Sequence, residues 1–271
     1  MNNIILIGNP ESGKTNYLSA GLAYMAKKFP DTLCILGKDN PSRALIDKVE
    51  AKLKKKRWLD KTGGAAGTKG HYDFKVSKST RLAKILGITN PTSRTWRDYD
   101  VHIDDWAGEC FAKLKDNGKN NAREEFLQDG VKAGVVMIIF DGIQLKGQKV
   151  TSDLQDNLGN LLEHLSRVKI KRKIAVVVTK CDILEGDPVF CKDSKVSVGK
   201  VREYIEENFN QFKSAAHDFD TRYFCVSCVP VPEHKIVDVN AGTIPNDLWS
   251  LNDMESQVEA FKWILNNLRW G

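Results

Sequence analysis

The sequence predicts an α/β fold: a mostly parallel, doubly wound sheet with helices on both faces. Three observations carry that expectation. Ile4–Ile7, Ala133–Phe140 and Lys173–Val178 are short, near-continuous apolar runs, the pattern of strands buried on both sides. Stretches of helical spacing a dozen or more residues long separate the candidate strands, and crossovers of that length join parallel strands. With 41% hydrophobic and 28% charged residues among 271, the chain can bury a substantial core and global disorder is excluded.

In chain order, Ile4–Ile7 reads as the first strand, and Gly8–Thr15 as a loop opening a helix that runs to about Lys28 on the apolar positions Tyr17, Leu18, Leu22 and Met25. Leu33–Leu36 is a short strand candidate. Pro41–Arg57 reads as a basic helix with Leu45, Ile46, Val49 and Leu53 on one face, and the four glycines of Lys61–Gly70 predict a mobile loop. His71–Val76 and Tyr99–Ile103 are strand candidates, the second alternating apolar and polar residues. Asp153–Val168 has five leucines at helical spacing; Val198–Ala216, Arg222–Ser227 and Leu251–Leu268 then repeat helix, strand, helix. Trp249, Trp263 and Trp270 are expected to pack the last helix.

No internal repeat or low-complexity linker divides the chain, so residues 1–271 are expected to form a single domain with a basic insertion at about 38–70. No run of about 18 apolar residues is present, and no basic region precedes Ile4, which predicts a cytoplasmic protein without a transmembrane segment or lipid anchor. The six cysteines are too dilute for a disulfide scaffold. Cys225–Cys228 has CxxC spacing but lacks the second pair that a zinc site needs, so these cysteines read as small strand residues. Charge is concentrated: residues 42–84 hold thirteen Lys or Arg against four acids, a net of +9, which leaves −3 of the overall +6 for the remainder. A direct nucleic-acid-binding role for the whole chain is therefore not expected.

Gly8-Asn9-Pro10-Glu11-Ser12-Gly13-Lys14-Thr15, followed by Asn16, fits GxxxxGK[ST] in the strand, loop, helix context that the pattern requires. Loop amides and the helix N-terminus offer donors and partial positive charge to polyphosphate. Lys14 reaches the β and γ phosphates, and the Thr15 hydroxyl ligates Mg²⁺. Thr179-Lys180-Cys181-Asp182 follows a buried strand and bears on the base. The Asp182 carboxylate can accept hydrogen bonds from both N1 and N2 of guanine, each worth about 1.5 to 3 kcal/mol when charge-assisted. Adenine lacks that paired donor edge, so Asp182 points to GTP over ATP.

Gly8–Thr15, Asp105-Trp106-Ala107-Gly108, Thr179–Asp182 and Val226-Ser227-Cys228 stand in the order and strand-end placement of the motifs of Ras-like small GTPases, a group of P-loop NTPases. The chain resembles that family from Ile4 to the last helix. The 89 residues between Thr15 and Asp105 enlarge the first-switch region, and with Asp-x-x-Gly-Glu and Thr-Lys-x-Asp the chain looks most like the prokaryotic double-GTPase group of conflict operons. The resemblance implies GTP and GDP as ligands, with Asp105 holding Mg²⁺ through water and the Gly108 amide sensing the γ-phosphate. Lys180 lies along the base, and Ser227 and Cys228 present backbone to the guanine oxygen. Asp104 competes for the role of Asp105 but does not stand three residues before a glycine. A switch threonine completing the Mg²⁺ shell is expected at Thr68, with Thr62 as the alternative. A protein effector or a second GTPase is the implied partner.

Several residues depart from the family pattern. Thr179 replaces an Asn that braces the phosphate loop, Glu109 replaces the Gln that orients the attacking water, and Pro10 and Glu11 replace small loop residues. These leave three readings: a slow GTPase switch, a GTP-binding scaffold with little hydrolysis, and a P-loop ATPase or small-molecule kinase. Arg57 and Arg94 are candidate arginine fingers that nothing in the sequence selects between. The basic segment 48–57 offers a contact for an acidic partner, or is a solvated helix face.

Overall fold

In the computed structural model, the described residues are 3–10, 12–15, 17–18, 21–22, 33–45, 47, 69–79, 96–112, 121–147, 152–167, 172–215, 218–227 and 255–267. A seven-stranded sheet has the order β2-β3-β4-β1-β5-β6-β9, formed by Asn3–Gly8 (β1), Leu33–Gly37 (β2), Lys69–Ser79 (β3), Trp96–Trp106 (β4), Val135–Asp141 (β5), Arg172–Thr179 (β6) and Phe219–Cys225 (β9). Cys191–Lys192 (β7) and Lys195–Val196 (β8) make a separate small hairpin. β4, β1, β5, β6 and β9 pair in parallel, and β3 runs antiparallel to both β2 and β4. The expected mostly parallel α/β fold is the observed one.

The apolar runs sort onto two faces as period-two side-chain alternation requires. On one face Ile5, Ile7, Val136, Ile138, Phe140, Ile174, Val176 and Val178 pack with helical residues such as Phe111, Phe126, Leu158, Leu161 and Ile205. On the other, Ile4, Leu6, Met137, Ile139, Ala175 and Val177 meet Tyr17, Leu18, Leu22 and, from the Glu255–Asn267 helix, Phe261 and Ile264. Tyr17 stacks on Phe261 with ring centroids 5.1 Å apart. At about 1.5 to 3 kcal/mol for each large aliphatic side chain buried, helices on both faces are what hold β1, β5 and β6 at the centre. The β3–β4 part of the sheet differs. Phe74, Val76, Val101 and Ile103 are buried on one side, whereas His71, Lys75 and Asp100 are exposed.

Four expectations are corrected. The strands expected at His71–Val76 and Tyr99–Ile103 are eleven residues each, because antiparallel pairing continues from Lys69 opposite Trp106 to Ser79 opposite Trp96. Lys69 and Gly70, expected in the loop, are thus in the strand, the rest of that loop lies outside the described residues, and the Lys69 ammonium lies 2.8 Å from both the Glu125 and Asp129 carboxylates. The helix expected over Val198–Ala216 is two helices, Val198–Asn208 and Asn210–Ala215, interrupted at Phe209 (φ −123°, ψ 80°), whose buried ring packs against Phe140 at 5.2 Å. The strand expected at Arg222–Ser227 spans Phe219–Cys225.

Trp263 packs on Phe224 at 6.0 Å as expected, while Trp249 and Trp270 lie outside the described residues. Of the expected basic helix, residues 41–45 and 47 are helical, and 46 and 48–57 lie outside the described residues. No helix among the described residues is long and apolar enough to cross a membrane.

Candidate functional site

Because β4, β1, β5, β6 and β9 are parallel, their carboxyl ends lie along one edge, where open α/β sheets form their ligand crevice. Along that edge stand, in order, Asp105 at the end of β4, the loop after Gly8, Asp141 at the end of β5, Thr179–Asp182 after β6 and Val226–Ser227 after β9.

The loop after β1 closes on itself. Ser12 N donates to Asn9 O at 3.3 Å, Gly13 adopts φ +83°, and Tyr17 N donates to Gly13 O at 2.8 Å, which starts the helix. Lys14, buried, donates from Nζ to Gly8 O and Asn9 O at 3.1 Å each, so its charge sits over the loop. Thr15 Oγ1 donates to Asp105 Oδ2 at 2.5 Å. Burial raises the Asp105 carboxyl above its ordinary range, against the opposing pull of the Thr15 hydrogen bond and the Lys14 charge. Asp104, its neighbour, pairs instead with His71 on the opposite side of the strand. Gly108 lies so close to the loop that a Cβ on it would be 2.3 Å from Pro10 N and 2.6 Å from the Asn9 carbonyl carbon. No larger residue fits there without moving backbone. A cavity of about 350 Å³ opens beside Asn9 and Pro10, walled by Ala112, Gln144, Leu154 and Asn157.

At the other end, β6 leaves the sheet through Lys180, in the left-handed conformation at φ 54°, into a 3₁₀ turn over Cys181–Leu184. Several bonds fix this turn. Cys181 N donates to Val226 O at 3.2 Å, and Val226 N donates to Val178 O at 2.8 Å. The Ser227 hydroxyl donates to Asp182 Oδ1 at 2.6 Å, holding one carboxylate oxygen in place. Lys180 Nζ donates to Asp141 Oδ2 at 2.7 Å, while Asp141 Oδ1 accepts from Ile143 N and caps the Gly142–Lys146 helix. Cys181 Sγ donates to Val178 O at 3.0 Å, and contact with Cys225 together with burial pushes its thiol pKa up, an inert packing role.

The two ends are tied through Thr179. Its buried hydroxyl lies 2.7 Å from Ser12 O and 3.1 Å from Phe140 O, so its single proton bonds the nearer, in the phosphate loop, and is shared at most with the other. Thr179→Val keeps the shape and removes this donor from buried carbonyls, and is expected to lower stability by about 1 to 3 kcal/mol, read by urea denaturation.

The structure therefore brings together Gly8, Asn9, Pro10, Ser12, Gly13, Lys14, Thr15, Asp105, Gly108, Thr179, Lys180, Asp182 and Ser227 at one edge. Glu11, Asn16, Thr62, Thr68, Arg57, Arg94 and Cys228 lie outside the described residues; Glu109 is in the Gly108–Ala112 helix, and its side chain is also outside them. Asp141, the partner of Lys180, was missed by the sequence reading. The signal for it was present: an Asp-Gly pair ending a buried strand, where a carboxylate caps the next helix.

A family model described as Double-GTPase 2 matches residues 47–243. A solved structure described as the GTPase-like domain of S. cerevisiae Ski7 bound to GTP is similar over 99% of this chain, at 12% identity and a TM-score of 0.44. The chain spans 50% of the length of that structure. No curated protein matches the chain.

Proposed function

Since the chain belongs to the Double-GTPase 2 family, we propose that it is a Mg²⁺-dependent guanine-nucleotide switch that binds GTP and GDP and hydrolyses GTP slowly without a partner. One observation carries the reading. Thr179, in the base motif, donates to Ser12 in the phosphate loop, which fixes a lysine-bearing anion cradle and a purine-reading carboxylate at one edge. Only β5 separates β1 from β6, so at about 4.8 Å per strand the two motifs stand roughly 10 Å apart. A nucleoside triphosphate is long enough to engage both.

In this reading the backbone N–H groups of Gly8–Thr15, Pro10 excepted, and the Lys14 ammonium bind the β and γ phosphates, a placement that exchanges the Lys14 bonds to Gly8 O and Asn9 O for phosphate oxygens. Asp182 accepts from guanine N1 and N2 while Ser227 fixes its orientation. Thr15 and Asp105 suit a hard divalent ion: two oxygen donors lie in contact, and one is a buried carboxylate whose charged form burial disfavours until a cation stands beside it. Mg²⁺ bound there supplies charge neutralisation at the phosphates. Gly108, packed against Asn9 and Pro10, is in this reading the residue whose amide senses the γ-phosphate. Thr68 is the proposed switch threonine: it stands two residues before Gly70, which pairs with Asp105. The protein partner is proposed to be an effector or a second GTPase, and the location to be cytoplasmic.

Glu109 decides between switch and scaffold. A carboxylate near a γ-phosphate repels it, so Glu109→Gln is expected to raise single-turnover phosphate release, by roughly tenfold if that residue contacts the attacking water. Binding of GTP and GDP but not ATP in Mg²⁺ is the primary test. Nucleotide binding with no phosphate release from either protein supports the scaffold.

A further inference from the structure

The outer side of the β3–β4 pair carries a cluster that the nucleotide edge does not use. In the antiparallel register His71 stands opposite Asp104 and Asp73 opposite His102. Asp73 Oδ1 lies 3.2 Å from His71 Nε2 and contacts His102 Nδ1, so two imidazoles converge on a single carboxylate oxygen. Ligand atoms of His71, Asp73 and His102 all lie within 4.8 Å of one another. The rings are nearly parallel, 13° apart with centroids at 6.3 Å. His71 Nδ1 is 2.6 Å from Asp104 Oδ1, which leaves Nε2 turned toward Asp73.

We propose that His71, Asp73 and His102 form a binding site for a divalent transition metal of the zinc type, with Asp104 as the carboxylate that orients His71. The donor set selects the class: two imidazoles and one carboxylate suit Zn²⁺ or Co²⁺, whereas Mg²⁺ and Ca²⁺ favour oxygen throughout. Two ligands bonded at about 2.0 to 2.1 Å to one tetrahedral ion stand roughly 3.3 Å apart; His71 Nε2 and Asp73 Oδ1 are 3.2 Å apart, while His102 Nδ1, in direct contact with Asp73 Oδ1, must draw back to admit an ion. A carboxylate on the far nitrogen of a ligating histidine is the usual outer support of such an ion.

The central ligand is also braced by its neighbours. Asp73 N donates to Ser42 Oγ at 2.7 Å and Asp73 O accepts from Lys38 N at 2.8 Å, so the central ligand is held from its own backbone while β4 holds His102. Three protein ligands leave a fourth position for water or a partner's side chain. His71 is exposed and His102 and Asp73 are half-buried, so an ion can enter. On binding, the contacts of His71 Nε2 and His102 Nδ1 with Asp73 Oδ1 are exchanged for bonds to the ion, and any proton on a ligating nitrogen passes to solvent.

The test is titration of the full chain with Co²⁺ in excess Mg²⁺, which keeps the harder ion at the hard-oxygen site. One equivalent with visible ligand-field absorption, displaced by Zn²⁺, is expected. His71→Ala and His102→Ala should each weaken binding at least tenfold, and Asp104→Asn by about tenfold. Absence of stoichiometric binding overturns the proposal, as does a His71→Ala/His102→Ala protein that binds Co²⁺ with unchanged affinity and spectrum. Should those variants fail to fold, the wild type still decides: Zn²⁺ must protect His71 and His102 from diethyl pyrocarbonate relative to His164, His217 and His234. Unchanged reactivity at both refutes the site.

Discussion

Lys14→Ala is expected to weaken GTP and GDP binding by a factor of roughly thirty to several thousand, measured with a fluorescent guanine nucleotide in Mg²⁺. The range follows from about 2 to 5 kcal/mol for truncating one partner of a buried, hydrogen-bonded charge pair, at 1.4 kcal/mol per tenfold. Lys14 Nζ also donates to two loop carbonyls, Gly8 O and Asn9 O, and bonds from a charged donor contribute about 1.5 to 3 kcal/mol each, so urea denaturation of the variant separates a loss of folding from a loss of binding. A variant that keeps full nucleotide affinity would refute the assignment of Gly8–Thr15 as a phosphate cradle.

Asp182→Asn should cost GTP about a hundred- to ten-thousandfold in affinity and make xanthine nucleotides the better ligands. The structure adds a reason why the exchange should be clean. Ser227 donates to Asp182 Oδ1, so in the variant the amide oxygen is the atom that stays on Ser227 and the new NH₂ takes the other carboxylate position. There it meets the N2 donor of guanine with a donor of its own, whereas xanthine presents a carbonyl. Two charge-assisted bonds of about 1.5 to 3 kcal/mol each set the magnitude. Competition of xanthosine against guanosine diphosphate measures it, and equal preference in wild type and variant would defeat the guanine assignment while leaving phosphate binding intact.

Most of the sheet could be read from residue patterns because β1, β5 and β6 are apolar on both faces and admit little else. Gly8–Thr15 and Thr179–Asp182 were legible for a related reason: a backbone that wraps an anion needs glycine and lysine at fixed offsets, and such spacing is local. What escaped was non-local. The extent of β3 and β4 depends on pairing between strands whose polar residues alternate weakly, as in Lys69-Gly70-His71, where a glycine suggests a loop until Asp105 stands opposite it. The break at Phe209 is set by Phe140 across the core. The β7–β8 hairpin turns through Asp193 and Ser194 at φ 52° and 64°, with no glycine to announce it. The bond from Thr179 to Ser12 O, 2.7 Å away, joins residues 167 positions apart and so left no local signal.

The uneven covering of the sheet has a dynamic consequence. β1, β5 and β6 are sealed by hydrocarbon above and below, whereas β3, and β4 except at Trp106, have it on one side only. Amide protons in the central strands should be the last to exchange with deuterated solvent, and those of β2 and β3 among the first. Fluctuation is thereby directed to the flank bearing Asp105, whereas Gly8–Thr15, Thr179 and Asp182 stand on stiffer ground, so in the proposed switch a bound molecule would lose its Asp105 side before its phosphate-loop and base contacts.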